Sequence, residues 1–488
     1  MSVEKFNLLS FAGKMKTLHL SWMAFFITFM VWFNLAPLKE AIVGGVGLTL
    51  SEWKTLLIIN VALTIPARVI IGALTDKFGP RIVYSSLLAI CSIPCFMFAL
   101  ADSFTQLVIA RFALGCIGAG FVVGIRMVSE WFPPKELGTA EGVYGGWGNF
   151  GSAAAAFTLP TIALLFGGED GWRYAVAITG LMSLLFSVVY FKNTTDTPKG
   201  STYFRPKNLG GMEVTSVKDF YLLLVMKTPM YFALALLNWK LSPQGVSLLS
   251  ENVVLLLYVG LVVLFVYDAY ATYKVNKDIF VTPVPEIHQY QFKQVAVLNV
   301  LYFATFGSEL AVISMLPAFF AETFELSMAT AGLLAGMYAF MNLMSRPGGG
   351  LLSDKFGRKK TLLTLTAGLA LGYWCLSLID ASWPIWLAVV AVMACSFFVQ
   401  SGEGAVFAAV PLIKRRLTGQ IAGMTGAYGN VGAVVYLTVY SLVDTSTFFL
   451  VIACTAVLGF VTLLFMQEPS GTITEVREDG SVELIKVT

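Results

Sequence analysis

Two arginines stand inside stretches that are otherwise apolar, and the same short motif follows each at the same distance. The first stretch reads Pro66-Ala67-Arg68-Val69-Ile70-Ile71-Gly72 and runs on to Asp76-Lys77-Phe78-Gly79-Pro80-Arg81. The second reads Met344-Ser345-Arg346-Pro347-Gly348-Gly349-Gly350 and runs on to Asp354-Lys355-Phe356-Gly357-Arg358. Arg68 and Arg346 are 278 positions apart, and so are Asp76 and Asp354. The chain is therefore a duplication, and its fold must be built from two related halves. An arginine at the centre of a membrane helix costs about 2.5–3.5 kcal/mol even on the lenient insertion scale. A cost kept twice, at equivalent positions, points to a positively charged site between the halves.

The membrane setting follows from composition. Of 488 residues, 57% are hydrophobic and only 12% are charged, against about 25% charged in a soluble domain. This is an all-α polytopic membrane protein whose outer solvent is the lipid bilayer. The net charge of +3 comes without a basic tract, so nucleic acid is not expected as a partner. The six cysteines at 91, 95, 116, 375, 395 and 454 lie in or beside apolar runs and read as small hydrophobes. Cys91 and Cys95, four apart on one helix, suit neither a disulfide nor a finger-type metal site. His19 and His288 stand near span ends and form no cluster. Neither metal nor cofactor is expected. With no nucleotide-binding loop and no nucleophile–base pair, the chain does not read as an enzyme. No small-residue cleavage site follows a short apolar core, so the first span is expected to remain in the mature protein.

A span needs about 20 mostly apolar residues. Six candidates fall at about 18–38, 54–75, 82–101, 105–126, 140–166 and 172–191, and six more at about 295–320, 327–351, 361–379, 384–411, 420–443 and 447–466. The resulting division is an N-terminal half at 1–193, a link at 194–294, a C-terminal half at 295–467 and a polar tail at 468–488. The tail is expected to be flexible. One set of connections carries Lys5, Lys14, Lys16, Lys77, Arg81, Lys135, Lys192, Lys199, Arg205, Lys207, Lys355, Arg358, Lys359, Lys360, Lys414, Arg415 and Arg416. The other carries mainly Asp102, Glu169, Asp170, Glu322, Glu325, Asp380 and Asp444. The positive-inside rule then places both termini in the cytoplasm. The link holds two further apolar stretches, about 219–239 and 253–271. One extra span would invert the second half and put Lys355 to Lys360 outside, so the link adds two spans or none. A central hairpin is favoured over a pair of interfacial helices.

Arg68 precedes Asp76 by eight residues, about 12 Å of helix at 1.5 Å per residue, which is near the middle of a roughly 30 Å core. Arg346 has the same depth by the same count. A guanidinium offers a planar fork of donors that matches a small planar oxyanion. The alternative is that each arginine pairs with a buried acid such as Glu309 or Glu403. That alternative is disfavoured because a duplicated pair needs duplicated acids, and span 1, the counterpart of span 7, has none in its middle. A second repeat sets Gly145-Gly146-Trp147-Gly148-Asn149-Phe150-Gly151 in span 5 against Gly426-Ala427-Tyr428-Gly429-Asn430-Val431-Gly432 in span 11. Glycines spaced this way clear a helix face for close packing, and each run adds one amide to that surface.

The repeated Gly72–Arg81 and Gly350–Lys359 motifs resemble the loop signature of the major facilitator superfamily. That resemblance implies two six-helix halves around a midplane site, with Asp76, Arg81, Asp354 and Arg358 as gating residues. The glycine runs with their asparagines, taken with Arg68 and Arg346, resemble the nitrate/nitrite porter family of that superfamily. So does Tyr302-Phe303-Ala304-Thr305-Phe306-Gly307-Ser308 in span 7. The resemblance implies import of nitrate and nitrite by alternating access, in a cell (plasma or inner) membrane, as a monomer. It implies an anion held by Arg68, Arg346, Asn149, Asn430, Tyr302 and Phe306, with Gly145 and Gly429 at close approach. Glu309, about two turns from Tyr302, is the proton-coupling candidate, since a membrane-embedded carboxylate suits a relay. Nitrate/nitrite exchange or transport of another small anion is the alternative within transport. A nitrate-sensing receptor is the alternative outside it.

Overall fold

The computed structural model describes residues 6–49, 52–53, 56, 59–61, 63–168, 170–206, 211–245, 247–285, 289–326, 328–469, 472–476 and 482–486. Lys5, Glu169, Lys207, His288, Glu478 and Asp479 lie outside the described residues, as do parts of the expected second span and the first residue of the eighth.

Charge is inside and apolar surface is outside. Arg68, Arg111, Arg126, Glu141, Glu309, Arg346 and Glu403 are buried, whereas Ile70, Ile90, Leu165, Leu255 and Leu458 are exposed. That inversion is what a hydrocarbon solvent selects, since helices satisfy their own backbone and turn apolar side chains outward. Eleven helical segments among the described residues are long and apolar enough to cross a membrane.

The N-terminal half runs through α1 (Gly13–Trp32), the short α2 (Lys39–Val46), α3 (Thr64–Phe78) and α4 (Pro80–Ala99). It continues through α5 (Phe104–Leu114), a 3-10 turn at Gly115–Ala119, α6 (Gly120–Trp131), α7 (Pro134–Phe166) and α8 (Gly171–Asn193). The link holds α9 (Val217–Leu241) and α10 (Glu251–Asn276). The C-terminal half holds α11 (Phe292–Thr323), α12 (Met328–Phe340), α13 (Asn342–Phe356), α14 (Arg358–Leu376), α15 (Ile385–Ala409), α16 (Thr418–Tyr440) and α17 (Thr445–Leu463). The first span differs from its expected bounds. Its helix begins five residues earlier, so His19 sits in its second turn, buried and accepting from Trp22 Nε1 at 2.9 Å.

The halves meet through a crossed pair of contacts. α3 packs on α16, and α13 packs on α7. Missing side chains make this approach possible. A Cβ at Gly72 would lie 2.2 Å from Gly419 O, and one at Gly350 would lie 1.9 Å from Gly138 O. Gly79 and Gly357 turn the chain into α4 and α14 at φ of +88° and +93°, a backbone conformation that glycine adopts without steric cost.

The link forms a hairpin beside the C-terminal half. Tyr428 Oη donates to Met226 O at 2.6 Å, and Lys240 Nζ donates to Ser441 Oγ at 3.0 Å. The two contacts are 14 residues apart on α9 and 13 apart from Tyr428 to Ser441, so α9 runs parallel to α16 over about 20 Å. α10 returns antiparallel. Lys227 Nζ donates to Asp268 Oδ1 at 2.6 Å and Thr272 Oγ1 at 2.7 Å, and Asn238 Nδ2 donates to Val254 O at 2.9 Å. The tail differs from the flexible segment expected. Thr472–Val476 and Val482–Lys486 pair as an antiparallel hairpin, in keeping with the β-branched Thr472, Ile473, Thr474, Val476, Val482 and Ile485 that they contain.

Candidate anion site between the halves

α3 delivers Arg68 to the interface, where it is fully buried. Its Nη1 donates to Gly426 O at 2.7 Å, a carbonyl of the opposite half, and its Nε donates to Gly118 O at 3.3 Å. Its Nη2 is buried and has no hydrogen-bond partner among the described residues. No described ion pair links Arg68 to an acid. A charged donor left unmade in a buried place carries its full desolvation cost, on the order of 1–3 kcal/mol or more.

α13 delivers Arg346 from the other side, 2% exposed. Its Nη2 donates to Tyr302 Oη at 3.0 Å and forms an ion pair with Glu403 of α15. Its Nη1 reaches Gly145 O at 3.4 Å. The expectation that neither arginine pairs with a buried acid is thus corrected for one of the two. The asymmetry has a plain cause, because only the C-terminal half carries the acid. Both guanidiniums lie over the same two rings: Arg68 is 5.7 Å from the Phe121 centroid and 5.0 Å from Phe306, and Arg346 is 5.5 and 5.7 Å away. Tyr302 stacks on Phe306 at 5.1 Å and 10°. Two cations thus flank one aromatic stack, a face to which cations are drawn.

The glycine runs fit against these groups. A Cβ at Gly145 would lie 3.3 Å from Arg346 Nη1, and one at Gly426 would lie 3.1 Å from Arg68 Cδ. Gly429 instead meets the rings, with a Cβ there 2.6 Å from Phe306 and 2.9 Å from Tyr302. Gly426 is the true counterpart of Gly145. The aligned repeats already contained that equivalence, since the two are 281 positions apart, as are Asn149 and Asn430. Asn430 Nδ2 donates to Gly426 O at 3.2 Å, so it shares an acceptor with Arg68. Asn149 lies one turn beyond Gly145, and the amide oxygens of both asparagines are buried without a partner among the described residues. Phe121 and Glu403 complete the site. Nothing repeated marks Phe121, which is one aromatic among many in an apolar helix.

Glu309 lies deeper on α11, 2% exposed. Its Oε1 accepts from Asn342 Nδ2 at 2.6 Å and from Gln400 Nε2 at 3.3 Å. Its Oε2 is buried without a hydrogen-bond partner among the described residues.

The end of the bundle that carries the loop motifs is closed. Asp76 accepts from Gly419 N at 2.9 Å and Gln420 N at 2.8 Å, near the start of α16. Asp354 accepts from Gly138 N at 3.0 Å and Thr139 N at 2.7 Å, near the start of α7. Each motif acid therefore holds the opposite half's glycine helix. Arg358 joins this lock, donating to Asp354 Oδ1 at 2.7 Å and to Pro134 O at 2.8 Å. Arg81 does not join it. It bonds instead to the end of its own half and the start of the link, its Nε on Phe191 O at 2.8 Å and its backbone amide on Asp196 Oδ1 at 2.8 Å. The basic partner of Asp76 is Arg126 of α6, at 3.4 Å.

The comparisons agree with this architecture. The sequence matches the Major Facilitator Superfamily over residues 21–297, the N-terminal half with the link, and over residues 298–486, the C-terminal half with most of the tail. It is 47% identical over 520 aligned residues to a nitrate/nitrite transporter (NrtP) of Picosynechococcus sp., with 97% of each chain covered. It is 45% identical to the protein of that name from Nostoc punctiforme, covering 98% of this chain and 97% of the relative. High-affinity nitrate transporter 2.3 of Oryza sativa is 28% identical, across 99% of this chain and 84% of the relative. Among solved structures, the human organic anion transporter MFSD10 superposes with a TM-score of 0.61 at 12% identity, covering 93% of this chain and all of that one. The proton:xylose symporter XylE superposes with a TM-score of 0.60 at 16% identity, covering 93% and 96%. At those identities the likeness concerns the fold alone. Sequence, duplicated fold and relatives agree: the chain is a transporter, not an enzyme, and belongs to the nitrate/nitrite porter family of the major facilitator superfamily.

Proposed function

We propose that this protein imports nitrate and nitrite by alternating access, holding the anion between Arg68 and Arg346. The observation that carries the reading is the pair of buried guanidiniums facing each other across the halves over one aromatic stack, one of them with an unpartnered nitrogen. A planar monovalent anion fits between two planar forks. The walls of Tyr302, Phe306 and Phe121 accept a weakly hydrated ion and disfavour one that must keep its water, such as phosphate. Asn149 and Asn430 supply amide donors, and Gly145, Gly426 and Gly429 leave the room. The names of the relatives point to the same substrates.

In this reading the motif end faces the cytoplasm with both termini, following the positive-inside bias. The protein acts as a monomer in the cell membrane, and α9 and α10 both cross it. Uptake is coupled to protons, with Glu309 as the coupling residue. The test is nitrate and nitrite uptake by reconstituted protein, with and without an imposed pH gradient. The reading expects saturable uptake of both ions and accumulation of nitrate when the outside is acid. No saturable flux would favour a sensing role for the fold. Flux that ignores the pH gradient and requires internal nitrite would mark an exchanger.

A further inference from the structure

Residues 194–206 leave α8 and run along the motif end without forming helix or strand. We propose that this stretch is a strap whose Tyr203 and Phe204 position Arg126, and that it thereby strengthens one of the two locks between the halves. The proposal goes beyond the reading above and does not depend on which ion is carried.

The course of the strap follows from its sequence. Trp131 Nε1 donates to Thr195 O at 3.1 Å, and Asp196 accepts from the Arg81 amide at the start of α4 at 2.8 Å. Pro198-Lys199-Gly200-Ser201 then turns the chain. Ser201 N donates to Pro198 O at 3.1 Å, and Gly200 stands at φ +84°. A positive φ at the third position of such a turn is why glycine is favoured there. Thr197 Oγ1 donates to Ser201 O at 3.2 Å and closes the loop. The turn sends the chain back to the junction of the halves. There Tyr203 Oη donates to Thr75 O at 2.7 Å and accepts from Arg126 Nε at 3.2 Å, while its ring lies 4.7 Å from the guanidinium. Phe204 is buried, and its carbonyl accepts from Arg126 Nη2 at 2.8 Å.

Arg126 is the cation of the Asp76 lock. Its Nη1 donates to Arg415 O, a carbonyl of the opposite half, and its Nη2 also pairs with Glu130 at 3.0 Å. Every nitrogen of Arg126 is therefore engaged, and its pair with Asp76 is fully buried. A buried ion pair repays its desolvation only when its geometry is held and its remaining donors are satisfied. The strap meets both conditions, because it occupies Nε and Nη2 and its ring covers the pair. That leaves Nη1 aimed at Arg415 O, and keeps Arg126 beside the carboxylate that accepts from Gly419 N and Gln420 N. The second lock is built differently. Glu468 of the tail accepts from the Arg358 amide at 2.6 Å, as Asp196 does from that of Arg81, yet Arg358 Nε is buried without a partner among the described residues. The duplication repeats the anchor but not the clamp, which lies in the unrepeated link.

The test is the distance distribution between spin labels at the exposed Lys135 and Lys360, one in each half at the motif end, read on the full chain in lipid nanodiscs. Tyr203→Ala should raise the ratio of long to short distances about tenfold, as the loss of one hydrogen bond to a charged group allows. Tyr203→Phe keeps the ring, loses the hydroxyl and should raise the ratio less. In an Arg126→Lys background the fork that the strap orients is gone, so Tyr203→Ala should add little. In an Asp354→Asn background it should add its full effect. Unchanged distances in Tyr203→Ala overturn the proposal. So does an equal rise in the Arg126→Lys background, because the strap would then act without Arg126. A rise that vanishes in the Asp354→Asn background overturns it as well, because the strap would then belong to the other lock. Should Tyr203→Ala fail to fold, Tyr203→Phe carries the same comparison.

Discussion

At the scale of single residues, the site is built as much by absent side chains as by present ones. Gly145 and Gly426 bring a bare helix face against Arg346 and Arg68, with 3.3 and 3.1 Å left for any added Cβ. Valine at either position would push the guanidinium off its ring stack, and packing errors of about 1 Å cost on the order of 100-fold in a positioned site. Uptake in vesicles should therefore fall at least tenfold for Gly145→Val and Gly426→Val, with membrane insertion intact. Gly336→Ala, which meets nothing within 4 Å, should transport within about twofold of wild type. Equal losses in all three would show that the glycines serve only general packing. The sequence disclosed Arg68, Arg346 and the two asparagines because duplication repeats them. It did not disclose that Glu403 neutralises one arginine, because an acid present in one half leaves no repeat to read.

At the scale of elements, the hairpin α9–α10 is the departure from a plain twelve-helix plan. Its buried cation is held by Asp268 and Thr272, and its outer helix is exposed along Leu255, Val259, Val262 and Val266. Lys227→Met leaves Asp268 without its partner. A fully buried pair broken in this way costs about 3–5 kcal/mol, and the 30% exposure of the Asp268 side chain reduces that to roughly 1–2 kcal/mol. The melting temperature in detergent should drop for Lys227→Met and recover in the double variant with Asp268→Leu. A double variant no more stable than the single one would show that the pair is not what joins the helices. The hairpin also tests orientation. A cysteine at Ser247, in the exposed α9–α10 turn, should react with an impermeant maleimide in intact cells, whereas one at Ser201 should react only after permeabilisation. Hydropathy made the two helices legible. The β-hairpin of the tail was not, because five-residue strands carry too little apolar signal to stand out from a polar terminus.

At the scale of the whole molecule, two equivalent locks hold the motif end shut. Asp76 and Asp354 each bind two backbone amides of the opposite half, and such charged hydrogen bonds contribute about 1.5–3 kcal/mol each. Asn at both positions removes the charge and part of the acceptor capacity. The double variant should shift the distance distribution between spin labels at Lys77 and Lys360 toward longer values. An unchanged distribution would show that the acids do not decide which end is closed. The repeated loop motif disclosed these acids and set Arg81 among the gating residues, whereas in the structure Arg126 pairs with Asp76 and Arg81 bonds to Asp196 and Phe191. A motif names residues close in sequence, and the bundle supplies partners from other helices.

The account turns on an anion held by two forks of donors at once. Its most direct test is nitrate binding to purified wild type, Arg68→Lys and Arg346→Lys by isothermal titration at pH 6. Lysine keeps the charge and discards the planar fork. Saturable binding in wild type, weakened at least tenfold in each lysine variant, is the predicted result. Wild-type affinity in either variant would contradict it.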